Sequence, residues 1–83
     1  MLDPIIKTEM LYNYSEVKDY NADPEFVRYT FCMGDIKDIA DWPMFEDIPL
    51  VRLWTYTGDS VVIRAEYDDI ERIYIQTKKT ILN

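Results

Sequence analysis

The strongest constraint on the fold of this chain is a pair of alternating segments joined by a short turn. Residues 50–57 and 60–67 each alternate in the manner of a half-buried β-strand, and Gly58-Asp59 stands between them. A Gly-Asp pair fits a two-residue type I′ or II′ loop, because such loops need residues that accept a positive φ. The sequence therefore predicts a β-hairpin over residues 50–67.

A two-residue loop also predicts which side chains of the hairpin share a face. It places Trp54 opposite Ile63, and the face that contains them is mostly apolar and aromatic. We expect that face to lie on the core; its members are Leu50, Arg52, Trp54, Tyr56, Val61, Ile63, Ala65 and Tyr67. The opposite face is mixed, and we expect it to point away from the core; its members are Val51, Leu53, Thr55, Val62, Arg64 and Glu66.

The segment after the hairpin, residues 68–82, supports two interpretations. Asp68 followed by Glu71 is typical of a helix start. An apolar stripe at helical spacing agrees with it, formed by Ile70, Ile73, Tyr74, Thr77 and Ile81. The many β-branched residues favour a strand instead. We predict a third strand over residues 70–78, after a short turn.

The first half of the chain predicts two more strands, over residues 5–14 and 25–33. Each follows an Asp-Pro pair, which is equally typical of a helix start. Residues 15–24 are acidic and predict a loop. Residues 35–42 predict a short amphipathic helix that ends before a proline, and residues 43–49 predict a loop.

Together these elements predict one domain over residues 1–83 in the α+β class. We expect a small, mainly antiparallel sheet of about five strands, barrel-like or open, with one short helix. Cys32 is the only cysteine, which favours a reducing compartment without disulfides. The chain begins with neither a signal peptide nor a membrane span, so we expect a cytoplasmic protein, in the producing cell or in a host cell.

The composition excludes most catalytic sites. Histidine is absent, and the chain has one cysteine and two glycines. The commonest general base, a zinc site built only from protein ligands, and a glycine-rich phosphate loop are therefore all missing. We expect no enzyme activity, no metal and no cofactor.

The charge of the chain is unevenly distributed. Residues 1–50 hold eleven acids and four bases, whereas residues 51–83 hold five of each, so the net charge of −7 comes from the first fifty residues. A one-sided negative surface attracts basic partners and repels nucleic acid. We therefore expect a basic protein partner, itself of the nucleic-acid-binding kind, and neither direct nucleic-acid binding nor membrane binding.

The first candidate binding segment is residues 35–47. On the predicted helix, acids three residues apart form a solvent-facing ridge whose carboxylates are spaced loosely like phosphates. The simpler interpretation is a solvated helix face. The candidate partner-binding residues here are Asp35, Asp38, Asp41, Trp42, Glu46 and Asp47.

The second candidate segment is the acidic loop. Its acids extend the same negative surface, although acids are also expected in turns for structural reasons. Tyr20 and Trp42 stand next to acids, and we expect both to be exposed as interface anchors. The candidate residues of this segment are Asp19, Tyr20, Asp23 and Glu25.

Three functions are compatible with these features. The first is a small inhibitor that occupies a basic nucleic-acid-binding surface as a nucleic-acid mimic, of the phage anti-defence type that includes anti-restriction and anti-CRISPR proteins. The second is a structural or assembly module of a virion or larger complex, with an apolar interface built from Val51, Leu53 and Val62. The third is an immunity protein against a basic toxin.

Overall fold

The chain folds as a five-stranded antiparallel sheet with two helices. The computed structural model describes residues 4–45 and 47–82, and it describes side chains over 4–42 and 47–79. The elements in chain order are β1 (Ile5–Leu11), α1 (Tyr14–Tyr20), β2 (Phe26–Cys32), a 3-10 turn (Met33–Asp35), β3 (Ile36–Phe45), β4 (Ile48–Thr55), β5 (Ser60–Arg64) and α2 (Tyr67–Leu82). The strand order is β2-β1-β5-β4-β3, and the sheet does not close into a barrel. The predicted α+β class and the five-stranded sheet are confirmed.

The two strands predicted in the first half are confirmed as β1 and β2. They pair along their whole length, from Ile5 opposite Cys32 to Leu11 opposite Phe26. The predicted loop over 15–24 is wrong in its first part, because α1 occupies residues 14–20. This helix has only seven residues and no side-chain cap at its start, so the sequence gives little sign of it.

The sheet is strongly curved. β2 and β3 lie at its opposite edges, yet only residues 33–35 separate them along the chain. The edges of a flat five-stranded sheet are about 19 Å apart. Four Cα steps span at most about 15 Å. The hairpin β1–β2 must therefore curl toward β3, and it does so where β1 and β5 share one ladder pair, Met10 opposite Ile63.

The predicted helix over 35–42 is wrong, because these residues belong mainly to strand β3. β3 pairs with β4 from Ile36 opposite Thr55 to Phe45 opposite Ile48, which also shortens the loop predicted over 43–49. The register shifts between Ile36 and Asp38, so Lys37 is an extra residue in the strand. Ile36 and Ile39 consequently pack on the same core although they are three residues apart. Core residues three positions apart are typical of a helix, which is why this segment was predicted as one.

The predicted hairpin is confirmed as β4–β5, but its predicted register is wrong. Val51 pairs with Ile63, and Trp54 pairs with Ser60. The loop contains three residues rather than two, closed by Gly58 N–H donating to the Thr55 carbonyl oxygen at 3.1 Å. Gly58 has φ +95°, as the left-handed residue of such a loop requires.

The change of register turns β4 over relative to β5. The register differs from the predicted one by three residues, and an odd shift moves the side chains of one strand to the opposite face while those of its partner stay in place. Val61 and Ile63 of β5 pack on the larger core, as predicted, whereas Leu50 of β4 lies on the other face of the sheet. Val51 and Leu53 are 0% exposed and Val62 is 6% exposed, so all three are core residues. The apolar docking face predicted from these residues does not exist.

The predicted third strand over 70–78 is wrong, because residues 67–82 form helix α2. Its apolar stripe packs on the sheet through Ile70, Ile73 and Tyr74. Burying this stripe against the curved sheet outweighs the strand preference of β-branched residues, which is worth little per residue. The predicted single helix is corrected to two. Neither described helix is both long and apolar enough to cross a lipid bilayer.

Both faces of the sheet carry a core. On the concave face, α2 closes over the larger cluster, formed by Phe31, Met33, Ile36, Val51, Leu53, Ile63 and Ile70. On the convex face, Leu11, Leu50 and Val62 form a smaller cluster, which Tyr14 and Val17 of α1 cover. The helix α1 is therefore fixed to the convex face by its own apolar side chains.

Candidate functional site

The predicted acidic ridge of Asp35, Asp38 and Asp41 is not formed. Asp35 lies in the 3-10 turn, and the other two lie in edge strand β3. Asp38 pairs with Trp54 and Asp41 with Val51, so the two carboxylates point to opposite faces of the sheet. All three are exposed. Charges on an edge strand also have a structural role, since they discourage pairing with other chains.

The remaining predicted residues of this segment are also dispersed. Trp42 is half-buried, and its ring meets that of Tyr14 edge to face at 5.5 Å, so the prediction that Trp42 is exposed is wrong. Asp47 is exposed in the turn between β3 and β4. The candidate Glu46 lies outside the described residues. Segment 35–47 therefore presents no single acidic surface over its described part.

The acids of the second predicted segment lie on one connection of the chain, between two neighbouring strands. We call residues 12–25, which connect β1 to β2, the acidic excursion. It contains four acids and one base. The four acids are all exposed, and they are Glu16, Asp19, Asp23 and Glu25. Neither of the two ion pairs among the described residues, Glu9–Arg64 and Asp69–Arg72, uses one of them.

Helix α1 turns its acids away from the sheet. Tyr14 and Val17 pack on the convex core. At 100° per residue, Glu16 and Asp19 are separated by about 60° on the opposite side of the helix. Tyr20 lies about 40° from Glu16 on the same side, and it is 81% exposed, as predicted. Exposed acids and an exposed aromatic ring are thus neighbours on one surface.

The backbone of the acidic excursion is held by Asn13, which is 8% exposed. Its Nδ2 donates to the Asp23 carbonyl oxygen at 2.8 Å, and its Oδ1 accepts from Glu25 N–H at 2.8 Å. Tyr12 N–H also donates to the Glu25 carbonyl oxygen at 2.8 Å. These bonds join the start of the excursion to its end, so the acids are presented on a fixed loop.

An arginine between two indole rings supports the convex face beneath α1. The Arg52 guanidinium carbon lies 5.2 Å from the ring centre of Trp42 and 5.1 Å from that of Trp54. An Nη of Arg52 donates to Ser60 Oγ at 3.1 Å. Next to this stack is a small cavity of about 130 Å³, lined in part by Tyr14 and Arg52. Cation–π contacts with two rings restrict the position of the guanidinium group.

A second cation–aromatic group lies at the hairpin turn. Lys78 Nζ lies 4.9 Å from the ring centre of Tyr56 and 5.4 Å from that of Tyr74. The Tyr74 hydroxyl donates to the Lys37 carbonyl oxygen at 2.8 Å. These contacts join α2 to the hairpin beside an open groove of about 260 Å³, which Lys37 and Asp38 line together. The opposite charges leave the groove without a strong preference for either sign of ligand.

The Tyr67 side chain in α2 is influenced by carboxylates of both α2 and β3. Burial raises the pKa of the Tyr67 phenol, and the carboxylates of Glu71, Asp41 and Asp38 raise it further. Asp41 pairs with Val51, so it lies on the face of the sheet that α2 covers. Among the described residues, no three Cys, Asp or Glu side chains gather so that they could hold a metal ion.

Sequence reasoning missed the residues that support the surface. Asn13 could have been suspected, since a lone amide between a strand and an acidic segment is typical of a side chain that bonds to nearby backbone. Tyr12, which follows β1 and is 67% exposed, was predicted as part of the strand over residues 5–14. The contact between Arg52 and Trp54 could have been expected, because residues two apart in a strand lie on the same face.

No protein-family model matches the chain, and neither does a curated protein or a solved structure. The functional conclusion therefore depends on the residues of this chain alone.

Proposed function

We propose that this chain is a small binding protein whose acidic excursion docks on a basic, nucleic-acid-binding surface of another protein and blocks it. The observation that carries the proposal is the set of four exposed acids on a loop whose ends Asn13 joins, beside the exposed ring of Tyr20. The protein acts by occupancy, without catalysis.

The chemistry of this surface suits such a partner. A protein that reads nucleic-acid phosphates presents Lys and Arg side chains, and carboxylates bind the same groups. Glu16, Asp19 and Asp23 supply the charge, which speeds encounter. Tyr20 supplies an aromatic side chain of the kind that anchors interfaces. Because the loop is already ordered, docking loses less conformational entropy than it would with a flexible tail.

The same surface defines the class of protein we propose. An acidic loop that competes with nucleic acid is a nucleic-acid mimic, and the biological role is inhibition of a defence enzyme by a phage protein in the cytoplasm of its host. An immunity protein that neutralises a basic toxin would use the same physics. The identity of the captured partner separates the two.

The test compares two charge reversals of equal size in different places. Glu16→Lys, Asp19→Lys and Asp23→Lys together reverse the charge of the acidic excursion from −3 to +3. Asp35→Lys, Asp38→Lys and Asp41→Lys, in the 3-10 turn and β3, change the net charge by the same amount and are called the β3 variant. Each protein is immobilised and used to capture partners from a lysate of the host cell, and the bound protein is identified by mass spectrometry and titrated.

We expect the excursion variant to lose affinity for the partner by more than about tenfold, because several charge-assisted contacts are reversed. The β3 variant should lose much less, and duplex DNA should displace the partner from the unaltered protein. The proposal is overturned if the excursion variant binds as well as the unaltered protein, or if the captured partner binds equally well in the presence of excess DNA.

A further inference from the structure

The two edges of the sheet are built differently. Edge strand β3 has two register irregularities, a proline at position 43 and exposed acids at Asp38 and Asp41, all of which hinder pairing with another strand. Edge strand β2, Phe26–Cys32, has none of these features. Its seven residues pair with β1 without a shift, and Arg28 is its only charged residue. One edge of the sheet is thus protected and the other is suited to pairing.

The hydrogen-bonding groups on the outer side of β2 follow from its pairing with β1. Tyr12 N–H donates to the Glu25 carbonyl oxygen, and Met33 N–H donates to the Pro4 carbonyl oxygen. In an antiparallel pair these bonds alternate, so the odd-numbered residues of β2 bond to β1. The outward backbone groups belong to Phe26, Arg28, Thr30 and Cys32. No backbone hydrogen bond from another described element reaches them.

We propose that the outer edge of β2 pairs with the same edge of a second copy of this chain, antiparallel and centred on Tyr29. In this register Arg28 lies opposite Thr30 of the second copy, and the two residues exchange backbone hydrogen bonds. On the other face, Val27 lies opposite Phe31 of the second copy. The sheet then runs through ten strands across a two-fold axis.

The side chains of β2 favour this register over one centred on Arg28. Centred on Tyr29, the pairing places no charge opposite a like charge, and an aromatic ring lies opposite a β-branched residue on each side of the axis. Centred on Arg28, it would place two arginines opposite each other. Val27, a large apolar residue on the concave side of this strand, is 42% exposed in the single chain and would be covered.

The proposed pairing is independent of the proposed function and responds oppositely to salt. Two chains of net charge −7 repel each other, so screening favours the dimer. Screening weakens docking of the acidic excursion on a basic partner. Sedimentation equilibrium of the purified protein, without any partner, tests the pairing alone, at concentrations up to about 1 mM and at low and high salt.

Two substitutions at one exposed position test the register. Thr30→Glu places a carboxylate opposite Arg28 of the other copy, and the two-fold axis makes the pair occur twice. Thr30→Arg places like charges there instead. We expect Thr30→Glu to tighten the dimer by about tenfold and Thr30→Arg to weaken it by about tenfold. Circular dichroism verifies that both variants remain folded.

The net charge alone predicts the reverse order, because Thr30→Glu makes each chain more acidic. A dimer that follows net charge, or that neither substitution changes, therefore overturns the proposal. So does a protein that remains monomeric at every concentration and salt tested. The expected result is a dimer that is favoured by high salt and strengthened by the more acidic variant.

Discussion

The side-chain amide of Asn13 bonds to the backbone of Asp23 across ten residues of chain, with 2.8 Å between Nδ2 and the carbonyl oxygen. The same side chain accepts the N–H of Glu25. One buried residue thus fixes the two ends of the acidic excursion relative to each other.

Replacing this residue tests how firmly the loop is held. We expect Asn13→Ala to lower the free energy of unfolding by about 1–3 kcal/mol, because it removes two part-buried hydrogen bonds and leaves the Asp23 carbonyl and the Glu25 N–H without these partners. Urea denaturation measures the loss, and hydrogen exchange should become faster over residues 14–25. Asn13→Asp keeps the acceptor for Glu25 N–H but places an anionic oxygen against the Asp23 carbonyl oxygen at a buried position, so it should cost at least as much as Asn13→Ala. An Asn13→Asp variant as stable as the unaltered protein would contradict this account.

The arginine stack gives a second prediction. Arg52→Lys should lower the free energy of unfolding by about 1 kcal/mol, because an ammonium group cannot stack flat between the rings of Trp42 and Trp54. Arg72→Lys is the control, since Arg72 is largely exposed beside Asp69 and should change stability by less than about 0.5 kcal/mol. Thermal and urea unfolding of both variants provide the comparison. Equal losses of unfolding free energy in the two variants would mean that the contacts of Arg52 with the two rings do not stabilise the fold.

The hairpin loop gives a third prediction. Gly58 has φ +95°, and a Cβ at this position meets no other atom within 4 Å, so any cost of substitution comes from the backbone rather than from collision. Gly58→Ala should lower the free energy of unfolding by about 1 kcal/mol. Gly58→Asn should cost less, because Asn tolerates the left-handed region better. Chemical denaturation of the pair measures the difference, and an alanine variant as stable as the asparagine one would refute it.

The environment of Tyr67 predicts how stability depends on pH. Its raised pKa means that, just above pH 10, the unfolded chain has released a proton that the folded chain still holds. The free energy of unfolding therefore falls as the pH rises above about 10. Tyr67→Phe should make this fall shallower, measured by urea denaturation between about pH 8 and pH 11.

Glu71→Gln provides the matched control for Tyr67. It removes the carboxylate that contributes most to the shift after burial, so its effect should have the same direction but be smaller than that of Tyr67→Phe. If neither substitution alters the alkaline slope, Tyr67 is not the group responsible.

The predictions from sequence were correct for the elements whose local pattern agrees with their tertiary packing. The hairpin was found because both segments alternate and Gly58 interrupts them. Strand β4 was assigned to the wrong face because the residues of a turn do not reveal whether the loop has two residues or three, and an odd shift of register turns one strand over relative to the other. The burial of Val51 and Leu53 therefore could not be obtained from alternation alone.

Strand β3 and helix α2 were each predicted as the wrong type of element, for different reasons. A bulge at Lys37 gave a strand the spacing of a helix, whereas the β-branched residues of α2 gave a helix the composition of a strand. In both cases packing against the curved sheet decides between alternatives that are nearly equal locally. Tyr20 was recognised as exposed because its neighbours are polar, but no local pattern reveals that Asn13 bonds to residues ten and twelve positions away.

The three residues between β2 and β3 also limit how the molecule can deform. This connection is too short to join the edges of a flat sheet. Any motion that flattens the sheet must therefore separate Met10 from Ile63 or unwind the 3-10 turn. The hairpin that carries α1 thus keeps a constant angle to α2. The acidic excursion is therefore presented in one orientation relative to the rest of the fold.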